Sequence, residues 1–278
     1  MTNIHAQDET ILRALAEDIG QGDITTVACV SADVQVTGRF VAKQSGLFCG
    51  GAVIARVFHL LDPSIGVTTH VSDGARVDVG DVLAVVAGSA RGILSGERVA
   101  LNFAQRLSGI ATKTAGAVAA VSGTCTKICD TRKTTPGLRA FEKYAVTVGG
   151  GKNHRFGLYD GVLIKDNHIK AAGGIASAVS AARLSAPHTL RIEVETTTLA
   201  EVDEALAAGA DIIMLDNMDV ATMAEAVRRI DGRAVTEASG NMLDRALTDV
   251  AGTGVDYISI GGLTHSAVAL DISLRFDG

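Results

Sequence analysis

Positive charge is concentrated between residues 130 and 170 of the 278-residue chain. This stretch holds eight Lys and Arg residues against four Asp and Glu, although the whole chain carries a formal charge of −6. It also contains a run of three glycines, residues 149–151, which let backbone amides approach a ligand closely. Because Lys and Arg give charge-assisted hydrogen bonds to carboxylates and phosphates, the stretch predicts an anion-binding site.

Four of the cations follow predicted strands or lie in glycine-rich turns, and these are the candidates for ligand binding. His154 stands next to Arg155, and the sequence is equally consistent with a histidine packed in the protein and with one that contacts the ligand. Arg139, Lys143 and Lys170 fall on predicted helices and are expected on a solvated face. The four candidates are Arg132, Lys133, Arg155 and Lys165.

Two acids and two loops of small residues complete a candidate site for a phosphorylated sugar. Glu195 and Asp216 each end an apolar run, and carboxylates so placed can hold Mg²⁺ or sugar hydroxyls. The loops Ser239-Gly240-Asn241 and Gly261-Gly262 follow two later runs. Loops of this kind cradle phosphate groups with backbone amides.

Six short apolar runs must position these residues. Three consecutive runs carry an acid at or near their ends, Glu195, Asp216 and Glu237, and these acids are 21 residues apart, the length of a strand plus a helix. This alternation predicts parallel strands joined by helices, and about six or seven such units favour a (β/α) barrel, open or closed, whose ligands bind at the strand carboxyl ends. No Gly-x-Gly-x-x-Gly follows a run, which argues against a dinucleotide-binding sheet. The runs are residues 127–130, 161–166, 190–195, 210–216, 233–239 and 255–262.

The first half of the chain has a different pattern. Apolar spacing predicts a helix over residues 9–19, and residues 34–86 read as short β-rich runs. A helix is predicted from about Ser95, with a break at Ser108-Gly109. Arg98 would lie in its first turn, where a cation opposes the helix dipole, so a ligand or a partner subunit is expected beside it.

Composition excludes several classes of protein. With 47% hydrophobic and 20% charged residues the chain is not disordered, and its acidic balance argues against general binding to nucleic acid or anionic membranes. No run approaches the roughly 18 apolar residues of a membrane span, and no secretion signal is present. The four cysteines are expected to be reduced thiols of a cytoplasmic protein, with Cys125 and Cys129 in the core.

The run TRKTTPGLRAFEKYAVTVGGGKNHRFGLYDGVLIKDNH, residues 131–168, resembles the signature of the quinolinate phosphoribosyltransferase family. The likeness covers nearly the whole chain and is specific. Further matching segments are GQGDITT (20–26), GERVALNFAQRLSGIAT (96–112), ADIIMLDN (210–217), EASGN (237–241) and GVDYISIGGLTH (254–265).

The resemblance implies a fold and an assembly. The fold would be an N-terminal α/β sandwich domain, residues 1–108 rejoined by 266–278, and a seven-stranded open α/β barrel, residues 109–265. The assembly would be a homodimer, or a larger assembly of dimers, in which Arg98 completes the active site of the partner chain.

The resemblance also implies residue roles. Two substrates would bind, quinolinate and phosphoribosyl pyrophosphate, with Mg²⁺ held by Glu195 and Asp216. Lys133, Glu195 and Asp216 would be catalytic. Residues that would contact substrate are Arg98, Thr131, Arg132, Lys133, His154, Arg155, Lys165, Glu195, Asp216, Ser239, Gly240, Asn241, Ile260, Gly261 and Gly262.

The implied reaction belongs to NAD biosynthesis. The pyridine nitrogen displaces pyrophosphate, and loss of CO₂ then gives nicotinate mononucleotide, with the proton supplied by Lys133 or water. Three other functions stay open. They are a lyase with a Schiff base at Lys165, which borohydride would trap, the related protein of molybdate-transport operons, and a non-catalytic anion-binding protein that releases no pyrophosphate.

Overall fold

The computed structural model describes residues 4–277, with side chains from residue 7 onward. The chain divides into two compact units. Unit 1 runs to Ala115 and includes Thr135–Gly150 and the chain from Thr264, whereas unit 2 comprises Gly116–Thr134 and Gly151–Leu263. The predicted domain limits, at residues 108 and 265, stay a prediction.

Unit 1 is built on an antiparallel sheet. Its central strand places Phe40 opposite Leu274 in one neighbour and opposite Ala84 in the other. Phe40 is fully buried, and its ring meets that of Phe58 edge-on with centroids 6.2 Å apart, which fixes the core of the unit. The sheet contains, in spatial order, β12 (Ile272–Phe276), β1 (Gln35–Ala42), β5 (Val82–Ser89) and β3 (Gly66–Thr69), and a separate pair contains β2 (Gly46–Leu47) and β4 (Arg76–Val77).

One helix that begins in unit 1 was not predicted from the sequence. The helix predicted over residues 9–19 is present, but the segment 34–86, predicted as β-rich, also contains a helix. Its buried residues Ile54, Val57 and Phe58 have helical spacing, a signal that the β-rich runs on both sides concealed. The helices are α1 (Ile4–Ile19), α2 (Ile24–Cys29), α3 (Gly51–Leu61), α4 (Ala90–Ala120) and α5 (Arg139–Val148).

Helix α4 begins at Ala90, earlier than predicted from Ser95. Arg98 therefore lies more than two turns inside the helix. Because the helix dipole acts on the first turn, the argument that Arg98 opposes it is wrong. The residue itself is exposed on unit 1.

The break predicted at Ser108-Gly109 is also wrong, since α4 continues to Ala120. The buried Ser108 hydroxyl accepts from the backbone N–H of Cys49 at 2.9 Å and donates to its carbonyl at 3.1 Å. At Gly109 the carbonyl oxygen of Val268 lies where a Cβ would be. The small residues thus allow close packing and do not end the helix.

Unit 2 contains a parallel sheet whose strands match all six predicted runs. Neighbouring strands keep a regular register, such as Glu237 opposite Met214 and Tyr257. The mixed α/β fold class, with a small antiparallel unit and a parallel sheet with helices, is confirmed. In spatial order the strands are β6 (Lys127–Cys129), β11 (Tyr257–Ser259), β10 (Val235–Ser239), β9 (Ile212–Asp216), β8 (Ile192–Thr196) and β7 (Val162–Ile164).

The parallel sheet is open between its outer strands. Within residues 4–277, β6 and β7 are not paired with each other. An isolated parallel bridge joins Cys129 at the end of β6 to Lys152. The resemblance implied seven strands, whereas the described residues of unit 2 form six strands and this single bridge.

Helices follow each of the inner strands of unit 2. α8 begins with a capping box between Thr198 and Glu201, and the Asp219 side chain caps α9. No helix within the described residues is long and apolar enough to cross a membrane. The helices are α6 (Asp166–Ala172), α7 (Ile175–Ser185), α8 (Leu199–Ala207), α9 (Val220–Ile230), α10 (Leu247–Ala251) and α11 (Gly262–His265), with a 3₁₀ turn at Met242–Asp244.

The four cysteines are free thiols in two different environments. Cys49 and Cys129 are buried, and Cys29 and Cys125 are exposed. The expectation that Cys125 belongs to the core is wrong, because Cys125 is exposed and precedes β6, whose buried residues are Ile128 and Cys129.

Replacement of Gly109 by Ala is expected to destabilise the protein. The added methyl group would overlap the backbone at Val268, and overpacking of this kind costs about 1–3 kcal/mol. Gly116→Ala in the same helix is the matched control, because nothing lies within 4 Å of its Cβ position. Ala should there add up to about 1 kcal/mol of helix stability. Urea unfolding measures both changes, and a similar gain in both variants would contradict the close approach.

Candidate active site

The ends of three neighbouring strands bring predicted site residues to one edge. Glu195 lies in β8, and Asp216 and Ser239 are the last residues of β9 and β10. Asp216 is opposite Ser239 in the register, and Glu195 is opposite Met214. Since alternate residues of a strand face the same side, the three side chains share one face at the carboxyl edge.

Lys165 pairs with Glu195 at this edge. It follows β7 as the first residue before α6, and its backbone N–H donates to Nδ1 of His168 at 3.0 Å. The Lys165 ammonium donates to Oε2 of Glu195 at 2.9 Å, and the two side chains are 48% and 15% exposed. The pair therefore places one cation and one carboxylate where a ligand can reach them.

The turn after β9 is fixed to the turn after β10. Asn217 donates its backbone N–H to the carbonyl of Ser239 at 3.0 Å and its side-chain amide to Oδ2 of Asp216 at 2.7 Å. Gly240 has φ 95°, and a Cβ there would overlap Asn217. Asn241 is also left-handed, with φ 49°. These contacts set the backbone amides of the Ser239-Gly240-Asn241 loop beside Asp216.

The loop after β11 lies next to the end of β6. The backbone N–H of Ile260 donates to the carbonyl of Cys129 at 2.9 Å. A Cβ on Gly262 would overlap the side chain of Leu243, which comes from the turn after β10. The two predicted phosphate loops are thus neighbours at the carboxyl edge.

Two guanidinium groups lie close together beyond the end of β6. Arg132 and Arg155 follow, by three residues each, the bridged pair Cys129 and Lys152. Arg155 donates from a terminal nitrogen to the carbonyl of Gly161 at 2.8 Å. Burial, and then the nearby charge of Arg132, lower the pKa of Arg155. Two such cations favour an anion between them.

Thr131 and Lys133 belong to the same turn as Arg132. The backbone N–H of Lys133 donates to the hydroxyl of Thr131 at 3.0 Å. The Lys133 residue is exposed, and Thr131 and Arg132 are half-buried. The turn therefore presents the Lys133 side chain at the surface of unit 2.

His154 lies inside unit 2 between two glutamates. Its Nε2 is 3.0 Å from Oε2 of Glu193 and 3.7 Å from Oε2 of Glu237. Its backbone N–H donates to Oδ1 of the fully buried Asp130 at 2.8 Å. Its Nδ1 accepts from the backbone N–H of Arg155 at 2.8 Å. These contacts show His154 as a packed histidine among acids. It is also hydrogen-bonded to Arg155, which is itself predicted to bind the ligand.

The cluster of His154, Glu193 and Glu237 contains one carboxyl group with a shifted pKa, and it borders a cavity. Burial, and then the charge of Glu193, raise the pKa of Glu237 to about 8, although His154 and Ser259 act in the opposite direction. Oε1 of Glu193 and Oε1 of Glu237 are buried and have no hydrogen-bond partner within residues 4–277. Both glutamates and His154 line a cavity of about 570 Å³.

The three cations predicted on solvated helix faces differ. Lys170 is exposed on α6 and pairs with Asp166 at 3.4 Å, as expected. Arg139 begins α5 and is half-buried. Lys143, on α5, is fully buried, so the expectation of a solvated Lys143 is wrong. A helical position alone does not show which face packs inward.

Comparison with known proteins decides the family. The family model for the N-terminal domain of quinolinate phosphoribosyl transferase matches residues 23–108, and the model for the C-terminal domain matches residues 110–275. The chain belongs to the quinolinate phosphoribosyl transferase family. The expectations of this family, of a pentosyltransferase and of an NAD-biosynthesis enzyme are confirmed.

Three relatives from this family align with nearly the whole of this chain. A probable nicotinate-nucleotide pyrophosphorylase [carboxylating] of Bacillus subtilis is 50% identical over 93% of this chain and 89% of its own. The nicotinate-nucleotide pyrophosphorylase [carboxylating] of Mycobacterium leprae is 48% identical over 97% and 96%. The solved nicotinate-nucleotide pyrophosphorylase of Francisella tularensis superimposes with a TM-score of 0.95 at 40% identity, covering 100% of this chain and 98% of that one.

Four residues near the predicted site carried no predicted role. The sequence marks Glu237 only as a strand-end acid, Asp130 only as the last residue of the run 127–130, and Asn217 only as part of a matching segment. Glu193 was not singled out, although it precedes Glu195 by two residues and must face the same side of β8. That period of two was the available signal.

Gly240→Ala is expected to disorder the loop beside Asp216. The new Cβ would overlap Asn217 and would also be strained at φ 95°. Gly232→Ala is the matched control, since Gly232 has φ 69° but nothing within 4 Å, and it should show only the backbone cost of about 1 kcal/mol. Thermal unfolding should show a clearly larger loss for Gly240→Ala. Equal losses would mean that the contact with Asn217 is unimportant.

Proposed function

We propose that this chain transfers the phosphoribosyl group of phosphoribosyl pyrophosphate to the nitrogen of quinolinate, releasing pyrophosphate and CO₂ and forming nicotinate mononucleotide. The observation that carries the proposal is the arrangement in unit 2 of a guanidinium pair, Arg132 and Arg155, beyond β6 and an acid pair, Glu195 and Asp216, at the ends of β8 and β9. A dicarboxylate matches the guanidinium pair, and the hydroxyls of a ribose or a Mg²⁺ ion bound to pyrophosphate match the acid pair.

Quinolinate has two carboxylates, and the cations supply their partners. Arg132 and Arg155 repel each other without an anion, so a dicarboxylate relieves that repulsion. Thr131, Lys133 and Lys165 would complete this part of the site. His154 would contact the substrate from the segment that carries Arg155, and Arg98 would come from a partner chain.

The ribose and the phosphates would bind at the adjoining edge. Glu195 and Asp216 face the same side of the sheet and offer carboxylate oxygens, the ligands that Mg²⁺ prefers, so the two residues fit that ion. When bound with the pyrophosphate, Mg²⁺ would neutralise part of its charge. The loops Ser239-Gly240-Asn241 and Ile260-Gly261-Gly262 would hold the 5′-phosphate with backbone amides.

The residues then assist two steps. The pyridine nitrogen forms a bond to the anomeric carbon as the bond to pyrophosphate breaks, and Glu195 and Asp216 stabilise the positive charge that develops on the ribose. The ring nitrogen becomes cationic. The bond to the adjacent carboxylate next breaks to give CO₂, the ring carbon keeps the electron pair, and Lys133 or water supplies the proton.

Lys165 is better suited to binding than to covalent catalysis. Its ammonium is ion-paired with Oε2 of Glu195 at 2.9 Å. A Schiff-base lysine must instead lose its proton. Lys165 is therefore assigned to a substrate carboxylate. The cytoplasmic location predicted from sequence stays a prediction.

Arg132→Ala and Arg155→Ala should each lower kcat/KM for quinolinate by about thirtyfold or more, since loss of a charged partner typically costs about 2–5 kcal/mol. The assay follows nicotinate mononucleotide and CO₂ from quinolinate, phosphoribosyl pyrophosphate and Mg²⁺. Arg228→Ala is the control. Arg228 is exposed on α9, where it pairs with Glu225, and its replacement should leave kcat/KM unchanged. Nicotinate, with one carboxylate, should be a poor substrate of the unaltered enzyme. Near-normal turnover in both site variants would refute their assignment.

The homodimer and the role of Arg98 are tested together by mixing two inactive variants. If Arg98 acts in the partner's site, a heterodimer of Arg98→Ala and Arg155→Ala chains has one intact site of two. Random exchange of equal amounts should then restore about 25% of the unaltered activity, because half of the dimers are mixed. A chain with both substitutions, mixed with either single variant, should restore none. No recovery in the first mixture would show that Arg98 does not act across subunits.

A further inference from the structure

The cluster around His154 contains two carboxyl groups and one ring proton. Nδ1 of His154 accepts the backbone N–H of Arg155, so the ring carries its proton on Nε2. That proton faces Oε2 of Glu193 at 3.0 Å, and Oε2 of Glu237 is farther away at 3.7 Å. One proton cannot serve both carboxylates.

Both carboxyl groups are almost completely buried, with side chains 5% and 6% exposed. One ligand atom from each of His154, Glu193 and Glu237 lies within 4.8 Å of the others. Two buried carboxylates at this separation cannot both be ionised beside one neutral imidazole. Glu237, the more distant from Nε2, is the carboxyl group that keeps a proton.

The surroundings of Glu237 support this assignment. Glu193 on β8 and Asp130 after β6 add negative charge, while His154 and the Ser259 hydroxyl from β11 act in the opposite direction. Tyr257 on β11 and Cys129 on β6 line the same cavity. Its remaining charged groups are Lys152, Arg155, Asp160 and Arg191.

A divalent metal ion fits the cluster less well than a proton. A metal ion would need the lone pair of Nε2, and the ring proton would then move to Nδ1. Nδ1 could no longer accept the backbone N–H of Arg155, which it does at 2.8 Å. The hydrogen bonds therefore favour a protonated carboxyl group.

We propose that Glu237 is a protonated positioning residue that, together with Glu193, holds His154 in its Nε2–H form and thereby fixes the segment that presents Arg155 to the substrate. The proposal rests on the proposed function for the role of Arg155. The segment lies where β6 and β7 leave the sheet open, with the Cys129–Lys152 bridge at its start. Its further anchors are the bond from His154 to Asp130 and the two glutamates.

Ionisation of Glu237 would release its proton to solvent and leave a second buried negative charge beside Glu193. The two carboxylates would then compete for the single Nε2 proton of His154, the ring would turn between them, and the bond from the Arg155 N–H to Nδ1 would weaken. Arg155 would move, and quinolinate would bind more weakly. The effect should appear in KM for quinolinate and not in KM for phosphoribosyl pyrophosphate.

The test compares pH profiles of Glu237→Gln, which carries a permanently neutral side chain, with those of the unaltered enzyme. Between pH 7 and pH 9 the protonated fraction of a group titrating at about 8 falls roughly tenfold. The unaltered enzyme should lose kcat/KM for quinolinate in that proportion, and Glu237→Gln should lose less than about twofold. Glu225→Gln, which changes a half-buried acid on α9, is the charge control and should keep the unaltered profile.

A second measurement does not depend on a folded variant. NMR of the unaltered protein labelled with ¹³C at glutamate carboxyl carbons should show one resonance titrating near pH 8. The proposal is overturned if no glutamate titrates above pH 7, if Glu237→Gln keeps the alkaline loss, or if KM for both substrates rises equally. Failure of the proposed function is distinct, because the unaltered enzyme would then make no nicotinate mononucleotide at any pH.

Discussion

Parallel pairing of the strands in unit 2 is the constraint on which the site depends. Parallel strands all point the same way, so their carboxyl ends meet at one edge, and every polar residue at a strand end is brought to that edge. Glu195, Asp216 and Ser239 come from three successive strands and share one face because of the register. A shift of one residue in any strand would turn its side chain to the other face.

The arrangement of charge follows from this geometry. The edge carries the neighbouring cations Arg132 and Arg155, and burial together with the charge of Arg132 lowers the pKa of Arg155. Inside the sheet, the opposite sign prevails at Glu193 and Glu237. The segment with His154 and Arg155 connects the two regions. Glu193 and Glu237 hold His154, and the next residue, Arg155, belongs to the cationic site. In this part of the open sheet, side chains replace backbone pairing as the means of fixing the chain.

Prediction from sequence worked where the signal was local. The six strands of unit 2 were each found from an apolar run of limited length ending in a polar residue or glycine. Prediction from sequence failed where packing against residues distant in the chain decided where a helix ends or which side chain is buried. Ser108-Gly109 looked like a helix end, but the pair lies inside α4 because Cys49 and Val268 approach there. Lys143 was expected in solvent, yet it lies on the buried face of α5.

The sequence by itself determined the family, the α/β class and the residue types at the strand ends, because motifs and hydrophobic periodicity are properties of neighbouring residues. Only the tertiary structure decided which of those residues meet. His154, Glu193 and Glu237 are tens of residues apart, and they come together because strand order and register place them side by side. Burial there turns a glutamate that would be an ordinary ionised acid in water into one that keeps its proton near neutral pH.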